Sequence, residues 1–374
     1  MINPYKNIVS QWESTGSPKG NYLFNYAHQS LQLLRNANPV KFTADNPVSN
    51  PADETGLTLG FFSGGTSGEP ELVKHSPITI KAAVDGLLDR IGDNSINSVC
   101  CLPLWHVGGW MQLERAWATR GTVLFSDFRD LMKIELRKQF DGRWISLVPT
   151  QLQELIKFQS GVENLKSAKG IFIGGSTASP SLLESSRALG IKLFPCYGLS
   201  ETAAMITLMD SEGFLQGRQG VGTPLSHAEI RINRRGHVEV KSSSLCLSRG
   251  EDKFEGDTWL KTQDVGRIDR FLNLTILGRS DQIINTGGEK VNPYKIEKIL
   301  YATGLIDQCM VYGEPHEKWG QRIVACVCPQ SIDLNILKKM VEDKLVGYMK
   351  PKVWKTMDKL PLTEMGKQHP SWRK

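Results

Sequence analysis

The chain has 374 residues, long enough for about two to three domains and a sizeable core. Apolar residues make up 40% and charged residues 22%, which excludes a disordered chain or a fibre. Net charge is +6, with 15 Lys/Arg against 11 Asp/Glu from Asp281 onward and 30 against 28 before it; the basic residues lack the interleaved aromatics of a nucleic-acid surface, and no run reaches the ~18 apolar residues of a membrane span.

In chain order, Met1 to Gly20 is polar and aromatic, without the basic-then-apolar layout of a secretory signal, so a cytoplasmic protein is expected. A helix is predicted from Tyr22 to Asn36, then a turn-rich passage with Pro39, Pro47 and Pro51. Phe61 to Ser76 joins an apolar run to a loop rich in glycine and hydroxyls. Ser63, Thr66 and Ser67 offer hydroxyls, while Gly64, Gly65 and Gly68 let several N–H groups converge on one anion. A strand feeding a phosphate loop and an ordinary glycine-rich turn both fit these residues, and the lysine spacing of the common nucleotide triphosphatases is absent.

Ile80, Val84, Leu87, Leu88 and Ile91 then have helical spacing. Beyond them, strands over Ser98 to Leu104, Thr122 to Phe125, Trp144 to Val148 and Gly170 to Ile173 alternate with helices over Trp110 to Ala118, Leu131 to Gln139 and Gln151 to Gln159. Such alternation predicts an α/β fold, a doubly wound and mostly parallel sheet with helices on both faces. After Tyr197 come short strands at Ile206 to Leu208, Glu229 to Ile232, His237 to Lys241, Trp259 to Lys261 and Leu272 to Leu277, as in a small barrel-like sheet. Gly278 to Asp281 marks a boundary between a large domain, 1–280, and a small α+β domain, 281–374. The small domain is predicted to hold helices at Pro293 to Ala302 and Asp333 to Leu345 and strands at Gln308 to Tyr312 and Ile323 to Cys328. The seven cysteines, including Cys100-Cys101 and Cys326-x-Cys328, have neither zinc nor redox spacing and read as small buried apolar residues.

Taken together, these stretches fall in the order used by the adenylate-forming superfamily of acyl-CoA synthetases, adenylation domains and luciferases, which the chain resembles from Gly60 to Lys367. The loop Ser63 to Pro70 is similar to the family's Thr-Ser-Gly-Thr-Thr-Gly-x-Pro-Lys element on the ATP phosphates, with Glu71 where the family has lysine and Lys74 three residues on. Gly174, Gly175 and Ser176 resemble the adenine loop. In Pro195-Cys-Tyr-Gly-Leu-Ser-Glu-Thr202 the resemblance implies that Tyr197 stacks on adenine beside Gly198, Glu201 holds Mg2+ and Thr202 reaches the α-phosphate. An aromatic face for a base, a hard carboxylate for a hard cation and a hydroxyl for a phosphate suit those roles. Trp259-Leu-Lys-Thr-Gln-Asp-Val-Gly266 is like a family motif with Gln263 in place of glycine, making Asp264 the ribose acceptor.

Further along, the resemblance makes Arg279 a nucleotide contact, Asp281 the hinge, Gly287 and Gly288 part of the coenzyme A tunnel and Lys367 the adenylation lysine. Leu102-Pro-Leu-Trp-His-Val-Gly-Gly109 resembles the acyl-pocket segment, placing His106 and Gly109 at the substrate; Arg115, inside an apolar helix face, either reaches water or pairs with a buried anion. That spacing is similar to the 2-succinylbenzoate CoA ligases of menaquinone biosynthesis, whose substrate has a second carboxylate. ATP, Mg2+ and coenzyme A are the implied cofactors and a small carboxylic acid the partner. Another aryl or aliphatic acid CoA ligase, a carrier-loading adenylation domain and a non-catalytic nucleotide-binding relative are the alternatives, and the oligomeric state stays open.

Overall fold

The computed structural model describes residues 40–43, 59–63 and 71–361. The predicted helix at Tyr22 to Asn36, the loop residues Gly64, Gly65, Thr66, Ser67 and Gly68, and Lys367 lie outside the described residues.

An eight-stranded sheet is built from β1 (Val40–Thr43), β4 (Ser98–Cys100), β5 (Thr122–Phe125), β6 (Trp144–Leu147), β7 (Gly170–Ile173), β8 (Leu193–Leu199), β9 (Ala204–Leu208) and β10 (Thr223–Pro224). Its order is β1-β5-β4-β6-β7-β8-β9-β10, with β5, β4, β6, β7 and β8 parallel and antiparallel pairings outside them. All four residues of β6 and of β7 are buried, as a strand covered on both faces requires. Alternation along the central strands sorts the two faces. Cys100, Val123 and Phe125 pack with α1 (Pro77–Ile91) and α2 (Val107–Ala118). Val99 and Leu124 pack instead with α4 (Pro149–Leu155), α5 (Gln159–Ser167) and α6 (Pro180–Ala188), the helices that follow the one-turn α3 (Arg137–Phe140).

Local chemistry sets the helix ends. Ser76 caps α1 by accepting from Thr79 N while Thr79 reciprocates, Pro77 takes the first position, and Gly92 closes the helix at φ 62°. The helix predicted from Leu131 to Gln139 is instead two 3-10 turns, Phe128–Met132 and Ile134–Leu136, followed by α3. Leu131 is fully buried but Ile134 is exposed, so no single apolar face runs through the segment. The helix predicted from Gln151 to Gln159 starts at Pro149 and ends at Leu155; α5 begins at Gln159 and passes so close that a Cβ on Gly161 would lie 2.3 Å from the Leu155 carbonyl oxygen. Helix α6 and strand β8 had no predicted counterpart, although Ser179-Pro180 is a cap-and-first-turn signal and Ser179 accepts from Leu182 N.

Two smaller antiparallel sheets follow. β11 (Ala228–Ile232), β12 (His237–Ser242), β15 (Leu260–Ile268) and β16 (Leu274–Arg279) form one. The other joins β2 (Leu59–Ser63) and β3 (Glu71–His75) to β13 (Ser248–Arg249) and β14 (Asp252–Lys253) in the order β14-β13-β3-β2. Toward the C-terminus, β17 (Ile284–Thr286), β18 (Glu289–Val291), β19 (Gln308–His316), β20 (Gly320–Cys328) and β21 (Val353–Thr356) make a fourth sheet with α8 (Pro293–Tyr301) and α9 (Leu334–Val341), after the short α7 (Ser211–Leu215) of the larger part. Ile296, Leu300, Val311, Ile323 and Leu337 give this α+β part its own core. Asn292 donates to the Leu277 carbonyl at 2.9 Å, and Lys157 pairs with Asp307 at 2.7 Å, so both link it to the larger part. Five of the seven cysteines are buried. Among the described residues no helix is long and apolar enough to cross a membrane.

Candidate functional site

In a parallel sheet, ligands gather beyond the carboxyl ends of the strands. Here those ends feed the loops after β4, β7 and β8, which carry His106, Gly174 to Ser176 and Glu201. The turn after β8 is strained. Ala203 and Ala204 sit at φ 50° and 83°, and a Cβ on Gly198 would lie 1.8 Å from the Ala204 carbonyl oxygen. Left-handed alanines persist only where neighbours over-determine the backbone. Three do so: His75 Nε2 donates to the Ser200 carbonyl at 2.8 Å, Ser244 Oγ to the Thr202 carbonyl at 2.9 Å, and Cys246 N to the Glu201 carbonyl at 2.8 Å. Burial pulls the His75 imidazole down to about 4, against the Ser200 bond that raises it, so the ring is neutral at pH 7. Thr202 is fully buried, and its Oγ1 accepts from Leu199 N at 3.0 Å and lies 2.9 Å from the Ala204 carbonyl. The hydroxyl is turned into the turn it shapes.

Three motifs far apart in sequence meet next to this turn. Tyr197 Oη donates to Asp264 Oδ2 at 2.7 Å, Arg279 Nη1 lies 3.4 Å from Asp264 Oδ1, and Arg279 Nη2 pairs with Asp281 Oδ2 at 2.8 Å. Burial raises the Asp264 carboxyl, with Arg279 and the Tyr197 hydrogen bond pulling the other way. The Tyr197 phenol is pushed well above its ordinary value by burial and by the Asp264 charge. Asp264 is thus a buried acceptor held on one side by a hydroxyl and on the other by a cation.

Beside Glu201, Arg249 of β13 touches three carboxylates. Its Nη1 is 3.3 Å from Glu201 Oε1, its Nε 3.4 Å from Glu71 Oε2, and its Nη2 3.0 Å from Asp252 Oδ2. Ser63 Oγ donates to the Glu71 carbonyl at 3.3 Å across the β2–β3 pair. Lys74 is exposed and, one residue from His75 on a strand, lies on the other face, so the structure does not bring it to this group. No cluster of three potential ligands stands among the described residues. A single half-buried carboxylate, Glu201, fits Mg2+, which takes few protein oxygens and fills its shell with water and phosphate.

In the loop after β4, His106 takes the N-cap position of α2, its ring 6.0 Å from that of Trp105. Gly109 is there for space, since a Cβ would lie 2.2 Å from the Pro103 carbonyl oxygen. Arg115 neither reaches water nor pairs with a carboxylate among the described residues. It is 3% exposed, its guanidinium lies 5.6 Å from the Phe172 ring centre, and its Nε has no hydrogen-bond partner among the described residues. Burial lowers its pKa to about 10, leaving it charged, and raises the neighbouring Cys100 and Cys196 thiols to about 12, leaving them protonated.

Along the adjacent loop after β7, Gly174 admits Cys196, whose Sγ would be 2.8 Å from a Cβ; Gly175 adopts φ 79°, and Ser176 is exposed. In the C-terminal part, Gly287 and Gly288 form the tight β17–β18 turn at φ 59° and 86°. Gly287 N donates to the Trp319 carbonyl, and the Trp319 ring stacks on His316 with Lys318 and Lys352 over it. His75, Ser244, Arg249 and Trp319 were not singled out in the sequence. The Ser76-Pro77 cap beside His75 is a local signal, whereas Arg249 depends on a distant strand pairing.

A profile described as AMP-binding enzyme matches residues 11–244, and one described as AMP-binding enzyme C-terminal domain matches residues 295–367. The chain belongs to the AMP-binding enzyme family. Within it, a 2-succinylbenzoate–CoA ligase of Lactococcus lactis is 30% identical over 344 residues, covering 88% of this chain and 72% of the relative. That of Enterococcus faecalis is 27% identical over 334 residues, 85% of this chain and 69% of the relative. Among solved structures, o-succinylbenzoate CoA synthetase from Bacillus subtilis in complex with its acyl-adenylate intermediate shares the fold, with a TM-score of 0.71 at 24% identity, covering 83% of this chain and 68% of that one.

Proposed function

We propose that this chain is an AMP-forming acid–CoA ligase that converts 2-succinylbenzoate to its CoA thioester, a cytoplasmic step of menaquinone biosynthesis. The observation that carries the reading is the Tyr197–Asp264–Arg279 contact, which assembles an aromatic face, a ribose acceptor and a cation from three separate strands. Adenine lies against Tyr197 and along Gly174, Gly175 and Ser176, and Asp264 exchanges the Tyr197 hydroxyl for those of the ribose. The phosphates run toward Ser63 and the loop Gly64, Gly65, Thr66, Ser67 and Gly68. Mg2+, when bound at Glu201, neutralises phosphate charge. Thr202 holds the shape of the turn that presents the α-phosphate side.

The acid enters beside His106, with its second carboxylate on Arg115. A buried guanidinium with an unpartnered Nε supports a substrate that brings its own anion, because an unpaired buried charge is costly until one arrives. Lys367 steadies the charge that moves from the attacking carboxylate to the α-phosphate as pyrophosphate leaves. Coenzyme A thiolate then attacks the acyl carbon and AMP departs, after the part from Asp281 onward has turned and brought Gly287 and Gly288 to the pantetheine arm. Pyrophosphate release with ATP and a panel of acids is the test. Release only with 2-succinylbenzoate and close analogues is expected; no release with any acid would leave a non-catalytic nucleotide binder.

A further inference from the structure

Arg249 is surrounded by more negative charge than it balances. Glu71, Glu201 and Asp252 each reach a different nitrogen of one guanidinium, leaving two negative charges in excess. Its Nε is buried and within ion-pair distance of Glu71, yet makes no hydrogen bond among the described residues, so the fork is not fully engaged. The backbone fixes this position: Arg249 stands opposite Val73 in the β13–β3 pair, Gly250 N donates to the Leu72 carbonyl, and Glu71 shares the Val73 face of β3. The Glu201 contact is the exchangeable one, because a metal cation on Oε1 would stand beside the guanidinium and repel it.

We propose that Arg249 is the cation of the polyphosphate subsite, anchored by Glu71 and held on Glu201 only until a metal–nucleotide takes over that carboxylate. The inference rests on the adenylate-forming reading. Displaced from Glu201, Nη1 would be left to donate to phosphate oxygens, for which a planar fork of donors is well matched. Glu71, which alone would repel a triphosphate, then acts by fixing a positive charge in the place where lysine follows the proline in the resembling motif. A cation lost at one strand position is regained from the neighbouring strand.

The test is calorimetric titration of the full chain with β,γ-methylene-ATP and excess Mg2+, a readout independent of turnover. Arg249→Gln is expected to weaken binding roughly 10- to 100-fold, the value of a charged hydrogen bond. Glu71→Lys combined with Arg249→Gln is expected to recover most of that loss. Equal affinity of Arg249→Gln and the unaltered chain, or a double variant as weak as the single one, overturns the proposal. Thermal unfolding checks each variant; if Arg249→Gln does not fold, Arg249→Lys takes its place, with weaker binding expected and unchanged binding overturning the inference. Absence of nucleotide binding by the unaltered chain would instead refute the adenylate-forming reading beneath it.

Discussion

Acid should loosen this protein through His75, and the size of the effect follows from its surroundings. The ring is wholly inaccessible; Nε2 donates to the Ser200 carbonyl and Nδ1 lies 3.1 Å from Thr79 Oγ1. In the unfolded chain the imidazole takes a proton near pH 6.5, but in the folded one only near pH 4. The folded pKa is depressed, so the folded state is unaffected above pH 6.5 and loses stability as pH falls from 6.5 to about 4. At ~1.4 kcal/mol per pH unit, the loss is about 2 kcal/mol by pH 5 and about 3 kcal/mol by pH 4. Urea unfolding of the unaltered chain and of His75→Gln at pH 7.5 and pH 5 measures it. The glutamine amide keeps a donor for Ser200 and does not titrate, so the unaltered chain should lose about 2 kcal/mol more over that interval than the variant. Equal losses in the two proteins would refute the reasoning, and His227, also lowered to about 4 by burial, is common to both.

Other predictions concern chemistry and packing. Lys367→Ala should abolish acyl-adenylate formation while sparing thioester formation from supplied acyl-adenylate; equal loss in both half-reactions, followed separately, would contradict the division of labour. Arg115→Ala should raise the KM for 2-succinylbenzoate roughly 10- to 100-fold while leaving the KM for ATP unchanged, since the pairing proposed for Arg115 is with the second carboxylate of the acid. Gly198→Ala, whose Cβ would fall 1.8 Å from the Ala204 carbonyl oxygen, should cost about 1–3 kcal/mol in denaturant unfolding and weaken nucleotide binding by shifting the Glu201 turn.

Much of this was legible because the informative residues announce themselves locally. β6 and β7 are apolar throughout since both faces are covered, and β8 ends in a run where Tyr197, Gly198 and Glu201 serve one turn. Where several weak local preferences compete, the sequence is less decisive: around Leu131 and Ile134 apolar residues are close in sequence but do not share a face. Side-chain direction was the harder part. Thr202 has a hydroxyl suited to phosphate, but the turn consumes it, a choice set by the left-handed backbone at Ala203 and Ala204. Arg249 carries no motif at all, because its meaning comes from β13 pairing with β3. Glu71 is a departure from the family pattern in the sequence and an ion-pair partner in the structure.

The most direct test of the whole account is coenzyme A-dependent AMP formation from ATP, measured with 2-succinylbenzoate, benzoate and a fatty acid in parallel. The account predicts saturable AMP formation with 2-succinylbenzoate and little with the other two. Saturation by benzoate or the fatty acid with none by 2-succinylbenzoate would contradict it, removing the role given to Arg115 and with it the assigned substrate.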